Sequence, residues 1–134
     1  MLKGCLLSVP LIGIALGYAL GTAEPGYAQA KKPVDYGTQV RPILAGYCYG
    51  CHGEDEKKRE AGLRLDLKTF AFADVGGYPN IVPGDPAESE LYLRISAVLA
   101  EERMPPYRAG TRLSAEQIET IRRWIEEGAE WPDD

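Results

Sequence analysis

Two cysteines three residues apart with an imidazole directly behind them, Cys48-Tyr49-Gly50-Cys51-His52, form the densest chemistry in the chain. His52 is its only histidine, and Cys48 and Cys51 are two of its three cysteines. Cys-x-x-Cys followed by His is the spacing of covalent c-type haem attachment. The vinyl groups of that macrocycle lie on adjacent pyrroles, so one helical turn can offer both sulfurs while the next residue turns its ring beneath the iron. On this reading Cys48 and Cys51 carry the thioethers to one covalent haem c, and His52 is the proximal iron ligand. Three other readings stay open. A structural zinc site wants four ligands, usually Cys and His, and a carboxylate would have to complete the three present here. A thioredoxin-like pair expects a strand-helix-strand context, whereas a helical pattern with aromatic residues comes first here. A short-loop disulfide explains the thiols but not the placement of His52.

A haem iron held by His52 needs a sixth donor, and the sequence restricts the choice. No second histidine exists, and Met104 is the only methionine besides the initiator. Met104 lies in the proline-stiffened stretch "RMPPY", where a thioether can be held over a metal without joining the core; the alternative is a gap-filling apolar side chain. Closure of the iron between His and Met raises its potential and favours electron transfer over catalysis. A five-coordinate iron is the competing arrangement.

These residues need elements to hold them. Tyr36, Val40, Ile43, Leu44 and Tyr47 recur at helical spacing behind an Asp35 cap, which predicts a helix leading into the cysteines. Pro42 inside it implies a kink or a late start. Residues 53–62 are charged and aperiodic, a solvated loop. "GLRLDL" alternates like a short strand or extended segment, with Leu63, Leu65 and Leu67 on one side. "DVGGYPNIVPGDP" has the glycine and proline density of turns. Asp85-Pro86 with Glu88 marks a helix start, whose buried stripe is Leu91, Ile95 and Val98. Ser114 and Gln117 form a capping box for the last helix, with Leu113 and Ile118 as a staple. Ile118, Ile121, Trp124 and Ile125 face inward, Gly128 is the stop, and Trp131-Pro132 follows as a tail. No internal repeat or low-complexity segment interrupts this order.

The N-terminus runs from Lys3 through an apolar stretch to Ala28-Gln29-Ala30, the layout of a secretory signal covering residues 1–30. Retention of that segment as a membrane anchor is the alternative. Cys5 precedes the apolar run, which disfavours a lipid anchor there. Cleavage would leave residues 31–134 as one domain with Cys48 and Cys51 as its only thiols, in an exported, periplasmic setting where disulfides persist. The net charge of −5 argues against a nucleic-acid partner.

Five segments together resemble the planctomycete-type cytochrome c domain: "VRPILAGYCYGCHG", "GLRLDL", "VPGDPAESELYLRI", "RMPP" and "LSAEQIETIRRWIEEGAEWP". The resemblance implies a mainly α, small cytochrome c-like fold with long irregular loops, its N- and C-terminal helices packed beside a covalently bound haem. It also implies His52 and Met104 as axial ligands. A backbone carbonyl within residues 62–65 is expected to accept the far ring N–H of His52, and Trp124 and Tyr47 are expected where the terminal helices cross. Arg64, Arg94, Arg103 and Tyr107 are read as surface residues, although each has the chemistry to meet a haem carboxylate. The function that follows is an exported monohaem cytochrome, not an enzyme, that passes electrons by an outer-sphere route between redox partner proteins the sequence does not identify. Membrane association enters only if the signal is retained. A haem enzyme or gas or redox sensor with an open sixth position is the alternative, followed by a haem-free zinc or thiol-disulfide module.

Overall fold

The computed structural model describes residues 31–74 and 76–133. The expected signal at residues 1–30 lies outside them. Asp35 starts the first helical run by accepting from the Thr38 N–H at 2.8 Å. Pro42 then dictates the local geometry. It has no N–H to give, and the turn before it, Tyr36–Val40, is wound as a π-helix in which the Arg41 N–H bonds to the Tyr36 carbonyl. The α-helix α1, Arg41–Tyr47, begins only one residue before that proline, so the expected kink takes the form of a widened turn. Tyr36, Val40, Ile43 and Leu44 are buried as expected.

The single turn α2, Tyr49–His52, follows at once. The segment 62–67 is irregular, and no strand forms among the described residues; their only β-type pairing is an isolated bridge between Asp74 and Pro79. Leu65 alone of its three leucines is fully buried. A short α3, Lys68–Ala71, leads into the glycine-rich turns. Asp85 accepts from the Ala87 and Glu88 N–H groups and starts a 3-10 turn, Pro86–Glu88. Ser89 separates that turn from α4, Glu90–Ser96. Its hydroxyl is completely buried, donating to the Asp85 carbonyl at 2.7 Å and accepting from the Val82 N–H at 2.9 Å. Leu91 and Ile95 are buried, but Val98 is 89% exposed. The helix stops at Ser96 and Ala97 turns extended, so the expected stripe loses its third member.

A second 3-10 turn, Tyr107–Ala109, precedes the longest element, α5, Ala115–Glu126. Its capping box forms as read: Gln117 N–H donates to Ser114 Oγ, and Ser114 N–H donates to Gln117 Oε1. At the other end Gly128 has φ +106°, with Ala129 N–H bonded to the Trp124 carbonyl and Gly128 N–H to that of Ile125. This pair of bonds is a Schellman stop, which favours glycine. Helix α5 packs on the π-helical turn and on α4, burying Ile121, Trp124 and Ile125, each worth about 1.5–3 kcal/mol in apolar transfer.

Aromatic contacts fill the junction between the two ends of the domain. Tyr36 stacks on Trp131 at 4.2 Å between centroids and meets Trp124 at 5.7 Å. Tyr36 therefore stands where Tyr47 was expected. Trp131 is a core residue instead of a tail, and Trp124 Nε1–H donates to the Glu130 carbonyl at 2.9 Å. Among the described residues no helix is long and apolar enough to cross a membrane.

Candidate functional site

The chain breaks helical geometry at Cys48, which ends α1 and begins α2 with φ −118°. One turn later the N–H groups of Cys51 and His52 both reach the Cys48 carbonyl, at 3.1 and 2.8 Å. A turn this short leaves its last carbonyls without helical donors, and the following loop supplies them. Glu60 N–H donates to the Cys51 carbonyl at 2.8 Å and Leu65 N–H to the His52 carbonyl at 2.7 Å. Arg59 Nε donates to the Gly53 carbonyl at 3.0 Å, and its Nη2 to that of Glu54 at 2.8 Å. The charged loop is thus more than a solvated surface, because it clamps the turn that carries Cys51 and His52.

Cys48, Cys51, His52 and Met104 all line one cavity of about 350 Å³. Leu63 and Leu65 contribute to its wall from the extended segment, Leu91 and Ile95 from α4, and Pro105 and Pro106 from the Met104 loop. The elements that the hydrophobic pattern marked as core are therefore also its lining. Helix α4 is registered against the preceding loop by Glu90 N–H to the Pro79 carbonyl and Leu91 N–H to that of Asn80. The Met104 loop is tied in turn to α4 by the Met104 N–H, which donates to the Arg94 carbonyl at 3.0 Å.

Both cysteines are free thiols, Cys48 buried and Cys51 exposed. Burial pushes the Cys48 thiol up to about 12, with Cys51 adding to the shift. That is opposite to the depressed thiol on which a Cys-x-x-Cys redox pair depends. Burial likewise lowers the His52 imidazole below its ordinary value, against the opposing pull of the Glu60 carbonyl and carboxylate. The expected hydrogen bond behind His52 is corrected here: Nδ1 is buried without a partner. The segment 62–65 approaches the His52 backbone instead, through the Leu65 N–H.

Tyr78, Asn80 and Glu90 line the cavity although they had no place in the sequence reading of the site, and Arg94, read as a surface residue, lines it too. Asn80 is buried, with Nδ2–H donating to the Ala73 carbonyl at 3.3 Å. Nothing in its local pattern distinguished it from an ordinary turn asparagine. Arg64 is paired with Asp66, and Tyr107 is 84% exposed. Arg103 differs from a plain surface residue in having its Nε buried without a partner.

The donor set fits a covalently held haem. Two free thiols, an imidazole and a thioether share a largely apolar cavity, the donor types that thioether attachment and iron ligation call for. Among the described residues no group of three or more His, Cys, Asp or Glu side chains gathers to hold a metal ion. No curated protein and no solved structure matches the chain. Residues 48–107 match the family model described as Planctomycete cytochrome C. The match runs from the first haem-motif cysteine past Met104 and leaves α1 and α5 outside. Over those residues the chain is similar to that family, which supports the resemblance to the planctomycete-type cytochrome c domain.

Proposed function

We propose that this chain is an exported monohaem c-type cytochrome that relays single electrons between protein partners and is not itself an enzyme. The observation that carries the reading is the shared cavity of Cys48, Cys51, His52 and Met104. Cys48 and Cys51 would hold the macrocycle through thioethers, with His52 and Met104 as the two iron ligands. When bound, the haem supplies an iron that alternates between ferric and ferrous states. The protein's part is to position and to insulate. The loop clamp on α2 holds His52, the tie to Arg94 holds Met104, and Leu63, Leu65, Leu91 and Ile95 exclude water from the cavity wall. An iron held by both His52 and Met104 would leave no open position for a substrate, which would favour outer-sphere transfer.

The test is an absorption spectrum of the exported protein, reduced and oxidised, with an intact mass. Covalent haem in a low-spin state is expected. In Met104→Ala the reduction potential should fall and the ferric iron should accept added imidazole. A colourless exported product, from a host that matures its other c-type proteins, would falsify the haem reading. A native high-spin ferric spectrum would instead favour the open-site alternative.

A further inference from the structure

We propose that Arg94 is the positioning residue for Met104, a brace between α4 and the segment that carries the thioether. The inference rests on the reading of Met104 as an iron ligand. Contacts converge on Arg94 from both sides. Its Nε donates to Glu90 Oε1 at 2.6 Å, one helical turn back on α4. Its Nη1 donates to the Glu102 carbonyl at 3.3 Å, two residues before Met104. Its own carbonyl accepts from the Met104 N–H at 3.0 Å. Glu90, Arg94 and Met104 all line the same cavity.

The loop needs such a brace because burial does not hold it. Val98 is 89% and Leu99 54% exposed, so the chain between α4 and Met104 has little apolar anchorage. Among the described residues it is also tied by the bond from Arg112 Nη2 to the Ala97 carbonyl, at 3.4 Å. A thioether competes with other iron ligands in proportion to the time its segment spends in the binding position. The guanidinium raises that fraction by fixing the loop backbone to the helix. A fork is needed, since one end must hold a carboxylate and the other a carbonyl.

Imidazole affinity of the ferric, haem-loaded, exported protein reads this fraction directly. Arg94→Ala should bind imidazole about fivefold more tightly than wild type, the scale of a half-exposed polar tie. Arg94→Lys, with a single ammonium, should fall between the two. Ser114→Ala, which weakens the cap of α5, should lower the thermal midpoint and leave imidazole affinity unchanged. Wild-type affinity in Arg94→Ala overturns the proposal. So does an equal rise in Ser114→Ala, because the effect would then be general destabilisation. If Arg94→Ala fails to mature, wild-type affinity in Arg94→Lys overturns it in the same way. Met104→Ala separates the two levels: no rise in imidazole affinity there removes Met104 as ligand, and the brace with it.

Discussion

Gly53, directly behind His52, has no room for a side chain. A Cβ there would lie 2.4 Å from the Tyr49 carbonyl oxygen and 3.2 Å from its carbon. Its backbone is extended, with φ −127°, so contact and not handedness imposes the glycine. Neither neighbour can yield cheaply, because both atoms belong to the backbone of the turn that presents Cys51 and His52. Gly53→Ala is expected to cost about 1–3 kcal/mol of stability. It should also lower the fraction of exported protein that carries covalent haem, measured as the haem-to-protein absorbance ratio. Gly46→Ala is the control: a Cβ at that helical position meets nothing within 4 Å, and both stability and haem loading should hold. Equal loading in the two variants would show that the end of α2 tolerates displacement.

Helix ends are where local chemistry determines the elements of this fold. The Ser114 cap of α5 satisfies the Gln117 N–H at 3.2 Å, and Ser114→Ala should cost about 1 kcal/mol. For a domain of this size that corresponds to a fall of about 5 °C in thermal midpoint. Caps of this kind were legible from sequence at Asp35, Asp85, Ser114 and Gly128 because donor and acceptor lie within a few residues of each other. The grouping of Cys48, Cys51 and His52 follows from sequence proximity in the same way, and the structure brings Met104 to the same cavity. What sequence did not disclose depends on distant partners. The exposure of Val98 follows from where α4 stops, and the core placement of Trp131 follows from its stacking on Tyr36. Asn80 and Arg94 become part of the cavity only when α4 and the preceding loop are brought together. The bond expected behind His52 failed because residues 62–65 present a donor, the Leu65 N–H, to the His52 backbone instead of a carbonyl to its ring.

Closure of the whole domain depends on joining its two ends, and one carboxylate takes part. Glu127 Oε2 accepts from the Val34 N–H at 2.6 Å, across 93 residues of sequence. Its other oxygen accepts from Arg123 Nη2 at 2.6 Å, and Arg123 also donates to the Lys32 carbonyl at 3.0 Å. The Val34 N–H first, and the Arg123 guanidinium after it, hold the Glu127 carboxyl below its ordinary value of 4.5 despite partial desolvation. A carboxylate lowered in the folded chain contributes stability that is fully present above its unfolded value and disappears as pH falls through the folded one. The contribution of Glu127 is therefore expected at neutral pH and lost on acidification below 4.5. Asp35, Asp66, Glu119 and Asp133 are lowered as well, so acid weakens the domain at several points and only a difference measurement isolates one of them. Glu127→Gln keeps an acceptor for Val34 but removes the charge. Its thermal midpoint should lie below that of wild type at about pH 7, and the two should converge by about pH 3. A gap that stays constant across that range would mean that the charge of Glu127 contributes nothing to joining the ends of the domain.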